Sequence, residues 1–268
     1  MKQKTQASDH VPFRGGGFLI DEGGRRGVST LAIVLLIAAW QLASGLGLIN
    51  PAFLPSPFKV LETLYDLALT GQLWADCSAS LFRIIVGWSI GTALGLAFGV
   101  LMALSTIVRN VGKPLVAALF PIPKIAVLPL LILWLGVGEL PKVTVIAFGV
   151  FFPTVISTYT SIDNVPRNLI RMAQSFGVPL RTIVRSILLP GALPGIVAGM
   201  RISTGYSLTI IVAAEMIAAE HGIGSFIMLA GTLFRSDQLI AGVVLLAIIG
   251  LTIDRILSVL ENRWFRWR

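Results

Sequence analysis

The chain has 268 residues, 55% hydrophobic and only 13% charged, with a mean hydropathy of +0.86; soluble domains carry about 25% charge, so a soluble globular fold is excluded and an all-α, polytopic membrane protein is expected. One cysteine, Cys77, rules out an intrachain disulfide framework, and the two histidines, His10 and His221, are too far apart in sequence to suggest a metal site. The net charge of +8 sits in the tails and in alternate loops rather than in one folded basic patch, which speaks against nucleic acid and reports membrane topology instead.

Residues 1–27 are polar and Gly-rich (RGGGFLIDEGGRRG) without helical periodicity, and read as a disordered cytoplasmic tail ahead of a transmembrane domain over 28–262 and a short tail over 263–268. The first apolar run, Leu31 to Ile49 with Trp40 near its middle, is too long for the core of a signal peptide and long enough to cross about 30 Å of hydrocarbon. Five further runs follow: Ile84–Leu104, Pro114–Val137, Val143–Thr160, Ala192–Ala214 and Leu239–Leu257. Six transmembrane helices place both termini on one side. Lys2, Lys4, Arg14, Arg25, Arg26, then Arg109 and Lys113, then Arg167, Arg171, Arg181 and Arg185, and finally Arg263, Arg266 and Arg268 all fall on that side. The opposite loops hold Lys59, Lys142 and Arg235 but also Glu62, Asp66, Asp76, Glu139, Glu215, Glu220 and Asp237. The positive-inside rule therefore gives N-in and C-in.

The second span carries Gly91, Gly95 and Gly99, and the fifth starts with Gly191, Gly195 and Gly199. Ridges of small residues at four-residue spacing let helix backbones approach closely in lipid. Packing within one subunit is the simpler reading of them, and a contact between two copies is the other. In the third span Pro121, Pro123 and Pro129 interrupt an apolar run, which predicts a break around Pro121–Pro123. Lys124 lies about ten residues, or roughly 15 Å, into that span and has two readings. It lines a wet path that favours anions, or the span starts near Phe120 and Lys124 reaches the headgroups. Arg83 and Arg201, near span ends where snorkelling is easy, are weaker path candidates.

Between the fourth and fifth spans lies DNVPRNLIRMAQSFGVPLRTIVRSILLPGALPG, residues 163–195. Asp163 or Asn164 is expected to cap a helix with Pro166 in its first turn. Leu169, Met172, Ala173 and Phe176 share one stripe of that helix, opposite Arg167, Arg171 and Gln174. Gly177 ends it in a left-handed turn, and Pro179 starts a second helix that Pro190 and Pro194 terminate. Positive-inside charge places this loop in the cytoplasm. A basic amphipathic loop lying on the membrane surface is the competing reading.

The run Arg171-Met172-Ala173, three residues, Gly177, nine residues, then Ile187-Leu188-Leu189-Pro190 resembles the EAA loop of the permease subunits of binding-protein-dependent ABC importers, EAA-x3-G-x9-I-x-L-P. Arg171 and Met172 stand where that family usually has glutamate and alanine. The stretches 121–143, 49–64 and 212–226 are similar to its nitrate, sulfonate and taurine branch. The resemblance implies the type I ABC importer permease fold and a homodimer or pseudo-symmetric pair. It implies two ATP-binding subunits gripping the 163–190 loop through Arg171, Met172, Ala173, Gly177, Ile187, Leu189 and Pro190, and a periplasmic or lipid-anchored solute-binding protein. It also implies a bacterial inner-membrane location and uptake of a small inorganic or organic anion; from the proline break, the path is expected to include Lys124, Pro121 and Pro123. No G-x4-G-K-[ST] phosphate loop, nucleophile elbow or paired catalytic carboxylates occur in the sequence, so no catalytic residue and no cofactor are expected. An ion-coupled secondary transporter is the alternative, disfavoured by the docking-type loop and the lack of an evident inverted repeat. The stretches 50–80 and 215–237 are expected to be outward loops whose acidic residues meet the binding protein, or are simply solvated.

Overall fold

The computed structural model describes residues 22–264, and among these every regular element is helical. The chain forms two compact units, one ending at Phe58 and the other starting at Lys59. The first contains α1, Glu22–Gly45, whose turn closes through Gly47 at φ 71°. Helix therefore begins inside the stretch read as tail; the rest of that expectation, residues 1–21, and the last residues of the C-terminal tail, 265–268, lie outside the described residues. The apolar part of α1, Thr30–Gly45, is shorter than the other candidate spans.

Next come α2 (Pro57–Leu69), α3 (Gln72–Leu104), α4 (Thr106–Leu119), α5 (Leu128–Leu135, after a 3-10 turn at Lys124–Val127) and α6 (Glu139–Asp163). These are followed by α7 (Arg167–Ser175), α8 (Leu180–Ile183), a π turn at Val184–Leu188, α9 (Leu189–Ala218), α10 (Ile223–Thr232) and α11 (Ser236–Trp264). Among the described residues, four helical runs are long and apolar enough to cross a membrane: α3, α6, the continuous run Leu180–Ala218, and α11 over Ser236–Val259. A fifth crossing is available only if α4 and the Lys124–Leu135 segment count as one span bent by 89°. Of the six expected spans, then, four are continuous, the third is broken and the first has the shorter apolar stretch of α1. The break falls at the Pro121-Ile122-Pro123 triplet, where prolines withhold backbone donors.

Helix α6 is the centre of the second unit. A Cβ placed on Gly87, Gly95 or Gly99 of α3 would lie 2.8, 2.8 and 2.6 Å from the Cβ atoms of Ile146, Thr154 and Thr158 of α6, and one on Gly91 would run into Ala147 and Val150. From α9, Gly195 and Gly199 face Ser161 and Ser157 just as closely, and Gly191 faces Val165. Both glycine ridges thus press on α6, so they pack within the subunit, and backbone-to-backbone proximity supplies the dispersion contact that lipid cannot. Val145, Ile146, Val150, Ile210, Ile211 and Leu128 fill the core around it.

Pro190 and Pro194 do not end a helix. The chain passes from α8 through the π turn into α9, with the Leu189 N–H donating to the carbonyl of Val184, five residues back. In that register the peptide ahead of Pro190 is shifted off the α-ladder, which relieves the clash a proline ring makes with the carbonyl four residues earlier.

Candidate functional site

The 163–190 segment forms a compact helical hairpin. Asp163 belongs to the end of α6 and Asn164 is its C-cap, so neither caps α7; Pro166 is the residue that precedes α7. Hydropathy ended the span at Thr160, three residues short of the helix. At the other end of α7 the Gly177 N–H donates to Gln174 O and the Val178 N–H to Ala173 O, both at 3.0 Å, with Gly177 at φ 70°. This is a Schellman stop, whose left-handed residue is best supplied by glycine. The expected apolar stripe divides in two. Ala173 is buried with Ile162, Val165, Ile183, Leu188 and Ala192, and Ile170 and Ile187 pack against them. Leu169, Met172, Phe176 and Leu180 remain exposed, Phe176 at 79% and Leu180 at 67%. Arg171, Gly177, Arg181 and Arg185 are also exposed, while Leu189 and Pro190 are half-buried. The hairpin is therefore anchored by one row of apolar side chains and leaves a second row, flanked by arginines, exposed.

At the break in the third span, Phe120, Pro121, Ile122, Pro123 and Lys124 line a cavity of about 670 Å³ together with Tyr206 and Thr209 of α9. Lys124 is therefore beside a cavity, as one sequence reading had it. Its ammonium, however, is fully engaged: Nζ donates to the carbonyls of Leu119, Phe120 and Ile122 at 2.9, 2.8 and 2.7 Å and sits 4.7 Å from the centroid of the Phe152 ring. These are carbonyls at the C-terminal end of α4 and its turn, Leu119 O also accepting from the Ile122 N–H at 3.3 Å, so the lysine caps a negative helix end rather than adding to the positive N-terminus of a half-helix.

Arg83 departs most from its sequence reading. Helix α3 starts twelve residues before the apolar run Ile84–Leu104, so Arg83 sits well inside it, its side chain only 4% exposed, bonded to Glu215 and Glu139 at 2.6 and 2.5 Å. It does not snorkel. Asp76, Ser80 and Glu215 are buried with it, which removes Asp76 and Glu215 from the acidic rim expected of the outward loops. Those stretches are largely helical as well, comprising α2, the start of α3, α10 and the end of α9. Cys77 is likewise buried. The signal for this cluster was present in the sequence as Asp76, Ser80, Arg83 and Gly87, which continue the glycine ridge of α3 at three- and four-residue steps. Arg201 is mid-helix too; it forms a two-pronged pair with Asp254 of α11 at 2.6 and 2.8 Å. Among the described residues there is no group of His, Cys, Asp or Glu able to hold a metal ion.

Apolar helices packed on α6, with a cavity at a broken span, are the architecture of a membrane transport permease. The chain belongs to the family described as binding-protein-dependent transport system inner membrane component, which matches residues 91–266. It is 36% identical over 245 residues to the taurine transport system permease protein TauC of Escherichia coli, covering 90% of this chain and 88% of that one. It is 31% identical to the putative aliphatic sulfonates transport permease protein SsuC of Bacillus subtilis, over 99% and 98%. It is also 33% identical to the nitrate import permease protein NrtB of Synechocystis, over 87% and 86%. Among solved structures, an inward-facing form of the MetNI methionine ABC transporter matches with a TM-score of 0.60 at 22% identity, over 74% of this chain and 94% of that one. The fold is thus that of an ABC importer permease: a membrane-embedded component that is not itself an enzyme and works with ATPase and binding-protein partners.

Proposed function

We propose that this permease carries a small sulfonate, taurine-like or nitrate-like anion into a bacterial cell. In this reading two copies, or one copy and a similar partner, sit in the inner membrane with both termini inside. A binding protein delivers substrate outside, and two ATP-binding subunits grip the 163–190 hairpin. The observation that carries the coupling role is the second apolar row of Leu169, Met172, Phe176 and Leu180, exposed on an otherwise well-packed hairpin. Burying such side chains is worth about 1.5–3 kcal/mol each, enough for a partner to hold the loop. The substrate class rests on the named relatives, whose identities span nearly the whole chain. The cavity at the α4–α5 break is the proposed path. Lys124 there satisfies carbonyls at the broken end of α4, and Tyr206 offers a hydroxyl to a passing oxyanion.

The test is to isolate the complex with its associated proteins, identify the binding protein, and measure its affinities for taurine, alkane sulfonates and nitrate. Uptake in vesicles should require ATP and that binding protein. Uptake driven by an ion gradient without ATP would establish the secondary-transporter reading instead, and selectivity for a cation would overturn the substrate class.

A further inference from the structure

Arg83 has a guanidinium with two sides, each committed to a different part of the molecule. On one side Nε and Nη2 fork onto Glu139 at 2.5 and 2.8 Å, at the first residue of α6. On the other, Nη1 donates to Glu215 near the end of α9 at 2.6 Å and to the carbonyl of His221 at 2.7 Å. The two arms differ in how well their carboxylates are held without the arginine. Glu215, with a fully buried side chain, also accepts from Ser80 Oγ at 2.7 Å and from the Gly224 N–H at 2.9 Å. The turn between α9 and α10 is further pinned to α3 by the Gly222 N–H on Asp76 and the Ile223 N–H on Ser80 Oγ, both at 2.9 Å. Removing Arg83 from Glu215 would strand a buried charge. Glu139, by contrast, has a half-exposed side chain and a second cation in Lys142 at 3.2 Å, and it lies at a helix N-terminus that favours negative charge. It can let go of Arg83 and remain solvated.

The segment ahead of Glu139 is open around its glycines. Gly136 and Gly138 have φ of 80° and 153°, and a Cβ on either would meet nothing within 4 Å. The α5–α6 corner is therefore tethered to the buried cluster by the Arg83 fork and otherwise unobstructed by packing at its glycines. At the other end of the same body, α9 belongs to one unbroken helical run from Leu180, in the proposed docking hairpin, to Ala218. At 1.5 Å per residue, the stretch from Leu180 to Glu215 is a rod of roughly 50 Å.

We propose that Arg83 is the pin of a releasable latch, its bond to Glu215 permanent and its fork to Glu139 broken and remade as the path opens and closes, so that movement of the hairpin reaches the α5–α6 corner through α9. Arg83 is a positioning residue in this scheme, since it acts through Glu139 and touches no substrate. The inference rests on the importer reading above. The experiment uses the whole importer, permease with ATPase subunits and binding protein, in vesicles, comparing wild type with Glu139→Gln, Glu139→Asp and Glu215→Gln. Glutamine keeps the shape and removes the charge that closes the latch. Glu139→Gln is expected to assemble normally and to hydrolyse ATP without binding protein, lowering the number of substrate molecules moved per ATP by about fivefold or more, the lower range of an allosteric coupling. Glu139→Asp should recover part of the coupling, and Glu215→Gln should reduce assembly. A Glu139→Gln importer that is coupled like wild type, or that fails to assemble, overturns the latch, as does a Glu215→Gln importer that behaves like Glu139→Gln. Lack of binding-protein-stimulated hydrolysis in the wild type would instead sink the importer reading.

Discussion

Gly177 offers a way to separate backbone conformation from surface shape in the docking hairpin. Its φ of 70° lies in the left-handed region, and a Cβ added there would meet nothing within 4 Å. Within this chain a side chain at 177 therefore carries a conformational cost and no steric one. For an alanine that cost is about 1–2 kcal/mol; for a β-branched valine it reaches about 3 kcal/mol; asparagine, which tolerates left-handed geometry, should lose only a fraction of this. At about 1.4 kcal/mol per factor of ten, valine would disfavour the Schellman stop by about 100-fold, alanine by about 10-fold and asparagine only slightly. Released from the stop, Val178 and Gln174 lose their bonds to the turn and the exposed row Leu169, Met172, Phe176, Leu180 loses its fixed spacing. The assay is the amount of ATPase subunit that co-purifies with each variant and the hydrolysis stimulated by substrate-loaded binding protein. Both should fall in the order Gly, Asn, Ala, Val. Equal performance by Gly177→Val would refute the coupling role of the hairpin, and an asparagine variant as poor as valine would show that the partner requires a bare surface at 177 rather than a left-handed backbone.

Other expectations follow from the packing. Gly95→Ala would drive a methyl to 2.8 Å from the Thr154 Cβ and should destabilise the permease by about 1–3 kcal/mol, whereas Gly205→Ala, inside α9 with open space around it, should leave the thermal midpoint in detergent unchanged or raise it slightly; equal midpoints would mean α3 does not pack on α6 as described. Cys77 is buried in α3, so a membrane-impermeant maleimide should modify it only after denaturation, and rapid labelling of the native protein, read by mass shift, would contradict that burial. Lys124→Ala removes a donor from three carbonyls at the α4 break and should impair anion uptake in complexes that still assemble, while Lys124→Arg, able to cap the same oxygens, should largely preserve it. Uptake by Lys124→Ala equal to wild type would remove this residue from the path.

Much of this architecture was legible because lipid imposes strong local rules. Runs of about 20 apolar residues, proline at the break, glycine every fourth residue and the Gly177 stop each follow from backbone requirements that a single sequence displays. What escaped was tertiary. The ridge Gly91, Gly95, Gly99 announced a close neighbour without naming α6. Arg83 was misplaced because hydropathy starts a span at the first apolar run, whereas α3 starts at Gln72 and buries polar residues by pairing them; an ion pair between residues 132 positions apart leaves no local trace. Lys124 was located correctly beside a break, but which oxygens its ammonium meets depends on an 89° bend that composition does not specify. Pro190 was read by its usual habit of stopping helices, and the π turn that accommodates it has no residue signature of its own.

That π turn also sets a phase. An α-helix advances about 100° per residue, and the wider turn at Val184–Leu188 takes up one extra residue within a single turn, so the hairpin keeps the direction it would have without that residue. The angular direction in which Leu180 faces thus depends on the π turn forming: the same residues in plain α register would turn it by about 100°. Deleting Ser186 should restore plain α register and leave the exposed row of the hairpin facing the same way. Retained ATPase co-purification in that deletion would show that the turn only absorbs a residue; loss, with the transmembrane body still folded, would show that the π turn is itself a determinant of assembly.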